Sequence, residues 1–267
     1  VNDRKCLYVN MNNFYFQGRG IADFAREFYN EGGRVLLIDQ VFKHPEWSPE
    51  LRKCYDMYPN LKIVFTGSSV MRLKEENPEL NNIVKSYNLR GFSFREFLNL
   101  KTGNHFRPYT LDEILRNHER IVKDILPKVS PLSFFQDYLH HGFYPFFQEQ
   151  RNYSENLLKT MNMVTEVDIL LIKQIELKYL TKIKKLFYLL ALEGNKAPNV
   201  SWLAQEIETS RATVMNYIKY LADARLTNMI YPKGCEFPKK PSKVMMHNTN
   251  LMYAIYPIAV KRQDVME

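Results

Sequence analysis

Val35-Leu36-Leu37-Ile38-Asp39-Gln40 carries the decisive pattern, four apolar residues in a row that deliver an acid. A short apolar run without alternation fits a strand buried on both faces, as in a parallel sheet clothed by helices; alternation belongs to sheets with one wet face. Working outward, Lys5-Cys6-Leu7-Tyr8-Val9-Asn10 and Lys62-Ile63-Val64-Phe65 read as further strands. Between them lie helical segments. Residues 21–29 place Ile21, Phe24, Ala25 and Phe28 at helical spacing before Gly32-Gly33, and residues 51–57 form a second helix. Strand and helix in alternation predict an α/β unit whose parallel sheet is covered on both faces.

Beyond Phe97 the strand signal stops, and residues 111–178 carry helical periodicity with the aromatic cluster Phe143-Tyr144-Pro145-Phe146-Phe147. From 184 to 231 the order is helix, helix, short turn, helix, then an apolar piece at Met229-Ile230-Tyr231. Val214, Tyr217, Ile218 and Leu221 make one buried stripe, with Thr209 or Ser210 placed to cap the helix start. This is the layout of a helix-turn-helix with a wing. Phe237-Pro238-Lys239-Lys240-Pro241 reads as a rigid basic linker. The expected division is therefore an α/β core over 1–100, a helical domain over 101–177, a winged-helix-like domain over 178–236, and a linker with the start of a further domain over 237–267.

Composition narrows the function classes. The longest strongly apolar run, Leu186-Phe187-Tyr188-Leu189-Leu190-Ala191-Leu192, is far shorter than the roughly 18 residues of a spanning helix. A soluble, cytoplasmic protein is expected, with Cys6, Cys54 and Cys235 as reduced thiols. The chain opens at Val1 and runs almost at once into a strand, which reads as an internal piece of a longer protein. Net charge is +8, and residues 178–243 hold 12 Lys and Arg against 5 Asp and Glu, so nearly all of the excess lies there. Such a segment invites a polyanion, though it equally describes the solvated face of helices. On the helix-turn-helix reading, Arg211, Thr213, Asn216 and Lys219 face outward as candidate contacts to duplex DNA, with Lys233, Lys239 and Lys240 on the wing side. His140-His141 beside Asp137 is read as structural, because adjacent helical residues point about 100° apart.

The strongest chemical signal is Asp39. A strand that ends on an acid at the C-terminal edge of a parallel sheet puts it where ligands of such sheets bind. One helix later, Phe65-Thr66-Gly67-Ser68-Ser69 ends the next strand on small hydroxyls suited to hydrogen-bonding a phosphate or a water. Together with His44-Pro45-Glu46-Trp47, Tyr55-Asp56-Met57-Tyr58-Pro59, Gly91-Phe92-Ser93-Phe94-Arg95-Glu96-Phe97-Leu98 and residues 243–251, these motifs resemble the archaeal-type AAA ATPases that carry a C-terminal domain of unknown function, DUF4143-like.

The resemblance implies a partial RecA-like P-loop core, a helical lid and a winged helix, with ATP and magnesium as cofactors. It implies Asp39 as the Walker B acid holding magnesium through water, and Thr66, Ser68 and Ser69 as the polar groups of the next strand. It leaves a protein partner or self-association open. Three departures qualify the implied activity. No Gly-x-x-x-x-Gly-Lys-Ser/Thr occurs in the chain. Gln40 stands where the family places a basic Glu, and an amide cannot take a proton from water at neutral pH. Leu80-Asn81-Asn82-Ile83-Val84 offers no arginine where relatives often have one, and Arg95 reads as structural. The expectation is an ATP-binding, ATPase-like protein with weak or absent hydrolysis. The alternative is a non-enzymatic DNA-binding or adaptor protein on the same scaffold.

Overall fold

A computed structural model describes residues 5–68, 70, 77–149, 152–194 and 196–255. The chain forms two compact units, Val1–Asn88 with Leu171–Gln174, and Leu89–Leu170 with Ile175–Glu267.

In the first unit, β1 (Cys6–Asn10), β2 (Val35–Asp39) and β3 (Lys62–Phe65) form a parallel sheet in that order. α1 (Ile21–Asn30) and α2 (Trp47–Met57) are the crossovers. Because side chains alternate along a strand, Leu36 and Ile38 share a face, and both are buried with Ile21, Ala25 and Phe28 of α1 and Leu51 and Cys54 of α2. Burying each large side chain there contributes about 1.5–3 kcal/mol.

The chain's punctuation fits this packing. Gly32 adopts φ +91°, which side chains resist, and a Cβ on Gly33 would lie 2.4 Å from the Phe28 ring. α1 lacks a side-chain cap from its own N-cap, Gly20; Glu50 of α2 supplies one, accepting the Ala22 N–H at 3.1 Å.

The register pairs Tyr8 with Leu37 and Leu37 with Val64, which puts these three on the opposite face. There Tyr8 is 60% exposed and Val64 47%. Among the described residues α1 and α2 cover one face, so the expectation of a sheet clothed on both faces is corrected. An unalternating apolar run cannot by itself tell which of its two faces receives a helix.

The second unit is helical with one hairpin. α3 (Phe94–Thr102) and α4 (Leu111–Ile125) each begin with a capping box, Ser93 with Glu96 and Thr110 with Glu113. α5 (Pro131–His141) and α6 (Tyr153–Met163) follow, and a π-helical stretch, Val164–Ile169, leads to α7 (Leu170–Ile172), whose last two residues are counted with the first unit. α8 (Leu180–Glu193), α9 (Val200–Glu206) and α10 (Arg211–Asp223) precede β4 (Thr227–Ile230), which pairs antiparallel with β5 (Lys243–Met246) before α11 (Thr249–Ile255). The predicted stripe on α10 is buried, and Ser210 is the cap, accepting the Thr213 N–H at 3.1 Å.

Residues 243–255, expected to open a further domain, instead supply β5 and α11 to this unit, where α11 packs on α5 and α6. A four-residue strand is too short to read as the partner of another 13 residues upstream. The aromatic cluster serves packing: Phe147 is buried edge-on to Phe92 and Phe97. Among the described residues no helix is long and apolar enough to cross a membrane.

Candidate functional site

Asp39 is the last residue of β2, level with Asn10 on β1. Its carboxylate gathers donors from β1 and from Thr66, the residue that follows β3. The Tyr8 hydroxyl and the Asn10 amide each donate to Oδ2 at 2.9 Å, and the Thr66 hydroxyl donates to Oδ1. Parallel pairing is the cause, because it brings the C-terminal ends of all three strands to one edge.

The backbone locks this edge. Met11 N–H donates to Asp39 O at 3.0 Å, Thr66 N–H to Ile38 O at 2.9 Å, and Val41 N–H to Thr66 O at 3.0 Å. Gln40 N–H donates to the Thr66 hydroxyl oxygen at 3.0 Å while Gln40 sits at φ 55°, in the left-handed region. That conformation turns the chain out of β2 and costs a non-glycine residue on the order of 1 kcal/mol.

Thus Asp39, Gln40 and Thr66 come together as the sequence suggests. Ser68 is half-buried and its hydroxyl oxygen accepts the Val70 N–H at 3.4 Å; Ser69 lies outside the described residues. Tyr8 and Asn10 escaped the sequence reading. Their signal was that β1, like β2, ends on a polar residue, and parallel register sets equal ends side by side.

A carboxylate that is half-buried, acceptor-only when ionised and held at the C-terminal edge of a parallel sheet lies where ligands of such sheets bind. The glycine-rich loop and lysine that cradle a triphosphate have no counterpart in the sequence.

The basic segment proves largely engaged within its own unit. Lys182 donates to Glu208 O at 2.6 Å and Lys185 to Glu206 O, so both cations satisfy carbonyls at the C-terminal end of α9, where the helix dipole favours them. Lys184 pairs with Glu166, and Arg225 donates to Leu89 O at 2.8 Å. Of the four candidate DNA contacts, Arg211 and Asn216 are exposed. Lys219 pairs with Asp223, and the Thr213 hydroxyl bonds the capping Ser210 at 2.8 Å.

Arg95 donates to Phe106 O at 3.1 Å, a structural role as expected. His141 bonds Asp137 at 3.0 Å, and His140 stacks on Tyr253.

Residues 1–98 match a family described as an AAA domain, and residues 133–261 match a domain of unknown function, DUF8612. The resemblance to archaeal-type AAA proteins holds. The C-terminal model that matches is DUF8612, where a DUF4143-like domain was expected. The AAA match covers the sheet edge that carries Asp39. The chain is 28% identical over 248 residues to the uncharacterized protein MJ1637 of Methanocaldococcus jannaschii, covering 88% of this chain and 52% of that relative. It spans about half the length of the curated relative it matches. No solved structure matches.

Proposed function

We propose that the edge around Asp39 is the metal side of an ATP site, in a protein that binds nucleotide and hydrolyses it weakly or not at all. The observation that carries this reading is the convergence of Tyr8, Asn10 and Thr66 on one carboxylate at the C-terminal edge of a parallel sheet. Asp39 would hold magnesium through water, and Thr66 and Ser68, with Ser69 beyond them in the sequence, would meet the phosphate end of the nucleotide. Magnesium, when bound, neutralises charge on the phosphate oxygens.

Gln40 can orient a water but cannot take its proton, which is why hydrolysis is expected to be crippled. The helical segments after residue 100 are read as the lid of such a core, and the protein as cytoplasmic. Nucleotide binding by the full-length protein that disappears with Asp39→Ala supports the reading. ATP turnover at about 1 s⁻¹ or faster, lost in the same variant, would overturn the claim of decayed catalysis.

A second reading keeps the scaffold and drops the nucleotide. α8, α9, α10 and the β4–β5 hairpin follow one another in the order of a winged helix, and Arg211 and Asn216 are exposed on α10. On this reading the module contacts duplex DNA, a protein partner or another copy. For the DNA version, binding should be salt-sensitive, weaken with Arg211→Ala and ignore nucleotide. Lys219→Ala should matter less, because its ammonium is already paired with Asp223. Lack of duplex binding at low salt would remove that version.

A further inference from the structure

We propose that Tyr8 is a latch on Asp39: its hydroxyl holds the carboxylate closed and has to swing away before a nucleotide-bound divalent cation can use it. This rests on reading Asp39 as the acid of a metal–nucleotide site.

A carboxylate oxygen has two lone pairs. Oδ2 of Asp39 accepts from both Tyr8 and Asn10 at 2.9 Å, which fills it, and Oδ1 accepts from Thr66. Three of four acceptor directions are therefore taken by the protein itself. Magnesium-bound water also needs acceptors at this carboxylate, so it competes with those donors.

The donors are not equally mobile. Asn10 is pinned, because its own Oδ1 accepts the Asn12 N–H at 2.8 Å and thereby aims the amide. Thr66 is tied through its hydroxyl oxygen to Gln40 N–H at 3.0 Å. Tyr8 projects from the face opposite α1 and α2, is 60% exposed, and reaches Asp39 through its terminal hydroxyl alone. Rotating its ring outward breaks one hydrogen bond and disturbs none of the sheet's backbone pairing. Asn10 is the anchor that orients Asp39; Tyr8 is the group that leaves.

The two roles predict effects of opposite sign. In the full-length protein, affinity for Mn²⁺ with a non-hydrolysable ATP analogue is read from the loss of the free Mn²⁺ electron paramagnetic resonance signal. Tyr8→Phe, which keeps the ring and removes the donor, should bind roughly 5-fold tighter, a change equivalent to one modest hydrogen bond of about 1 kcal/mol. Asn10→Ala should bind several-fold weaker. A tyrosine that merely supports the fold cannot raise affinity when its hydroxyl is removed, so Tyr8→Phe binding equally or more weakly overturns the latch.

Asp39→Asn separates this from failure of the underlying reading. If it abolishes cation-dependent binding, the metal acid stands whatever Tyr8 does. If it binds like the parent protein, or if no variant binds, the metal acid falls and the latch with it.

Discussion

Two polar side chains, one in each unit, draw in hydrogen bonds from distant parts of the chain, and they differ in what they leave open. Asn250 is 1% exposed. Its Oδ1 accepts the Phe143 N–H at 2.8 Å and the Tyr153 hydroxyl, and its Nδ2 donates to Tyr138 O at 3.1 Å and Leu139 O at 2.7 Å. The amide is saturated, and two of its bonds satisfy carbonyls in the last turn of α5. Asp39 is half-exposed, charged when ionised, and retains an acceptor direction beyond its three donors. A neutral, buried, saturated group holds a fold together; a charged group at an exposed edge, with one of its donors on a solvent-facing side chain, can exchange that donor for a ligand.

The comparison breaks most visibly at Asn250. Asn250→Ala leaves a buried N–H, a hydroxyl and two carbonyls without that partner, so unfolding in urea should show a loss of about 3 kcal/mol. A loss under about 1 kcal/mol would mean that water replaces the amide and that Asn250 is no better buried than Asp39.

Asp39→Asn should cost about 1 kcal/mol in the same assay, because solvent at the sheet edge takes over from the lost acceptor. A cost equal to that of Asn250→Ala would make Asp39 a structural strut rather than a site. Gln40→Gly should stabilise by up to about 1 kcal/mol, since glycine accepts φ 55° without strain. If stability falls instead, the Gln40 side chain contributes more than its backbone costs.

The smallest effect is electrostatic and concerns an acid whose role is capping. Glu96 is held below its ordinary range, first by the Ser93 backbone N–H and then by the Ser93 hydroxyl. Its folded-state value is depressed, so its stabilisation is present above the ordinary value of about 4.5 and fades as pH falls through the lower folded-state value. Protection factors of the amides at the start of α3, taken relative to intrinsic exchange at each pH, should fall over that acid range, and Glu96→Gln should flatten the dependence.

The sequence exposed much of this. Unalternating apolar runs predicted three strands, helical spacing at Ile21, Phe24, Ala25 and Phe28 predicted α1, and the stripe at Val214, Tyr217, Ile218 and Leu221 predicted the buried face of α10. Asp39 was legible because an acid ending an apolar strand is a local pattern. What stayed hidden was everything carried by partners far along the chain. Tyr8 meets Asp39 across 31 positions, Asn250 meets Tyr138 across 112, and Lys182 meets Glu208 across 26.

By itself, then, the sequence determined the strands, the amphipathic helices and the delivery of an acid to a sheet edge, because periodicity and strand ends are properties of neighbouring residues. Only the tertiary structure decided that Tyr8 and Asn10 hold that acid, that α1 and α2 lie on one face of the sheet, and that much of the basic segment is engaged with its own carboxylates and carbonyls. Those outcomes depend on strand register and helix packing, which set donor–acceptor distances between residues that the linear order keeps apart.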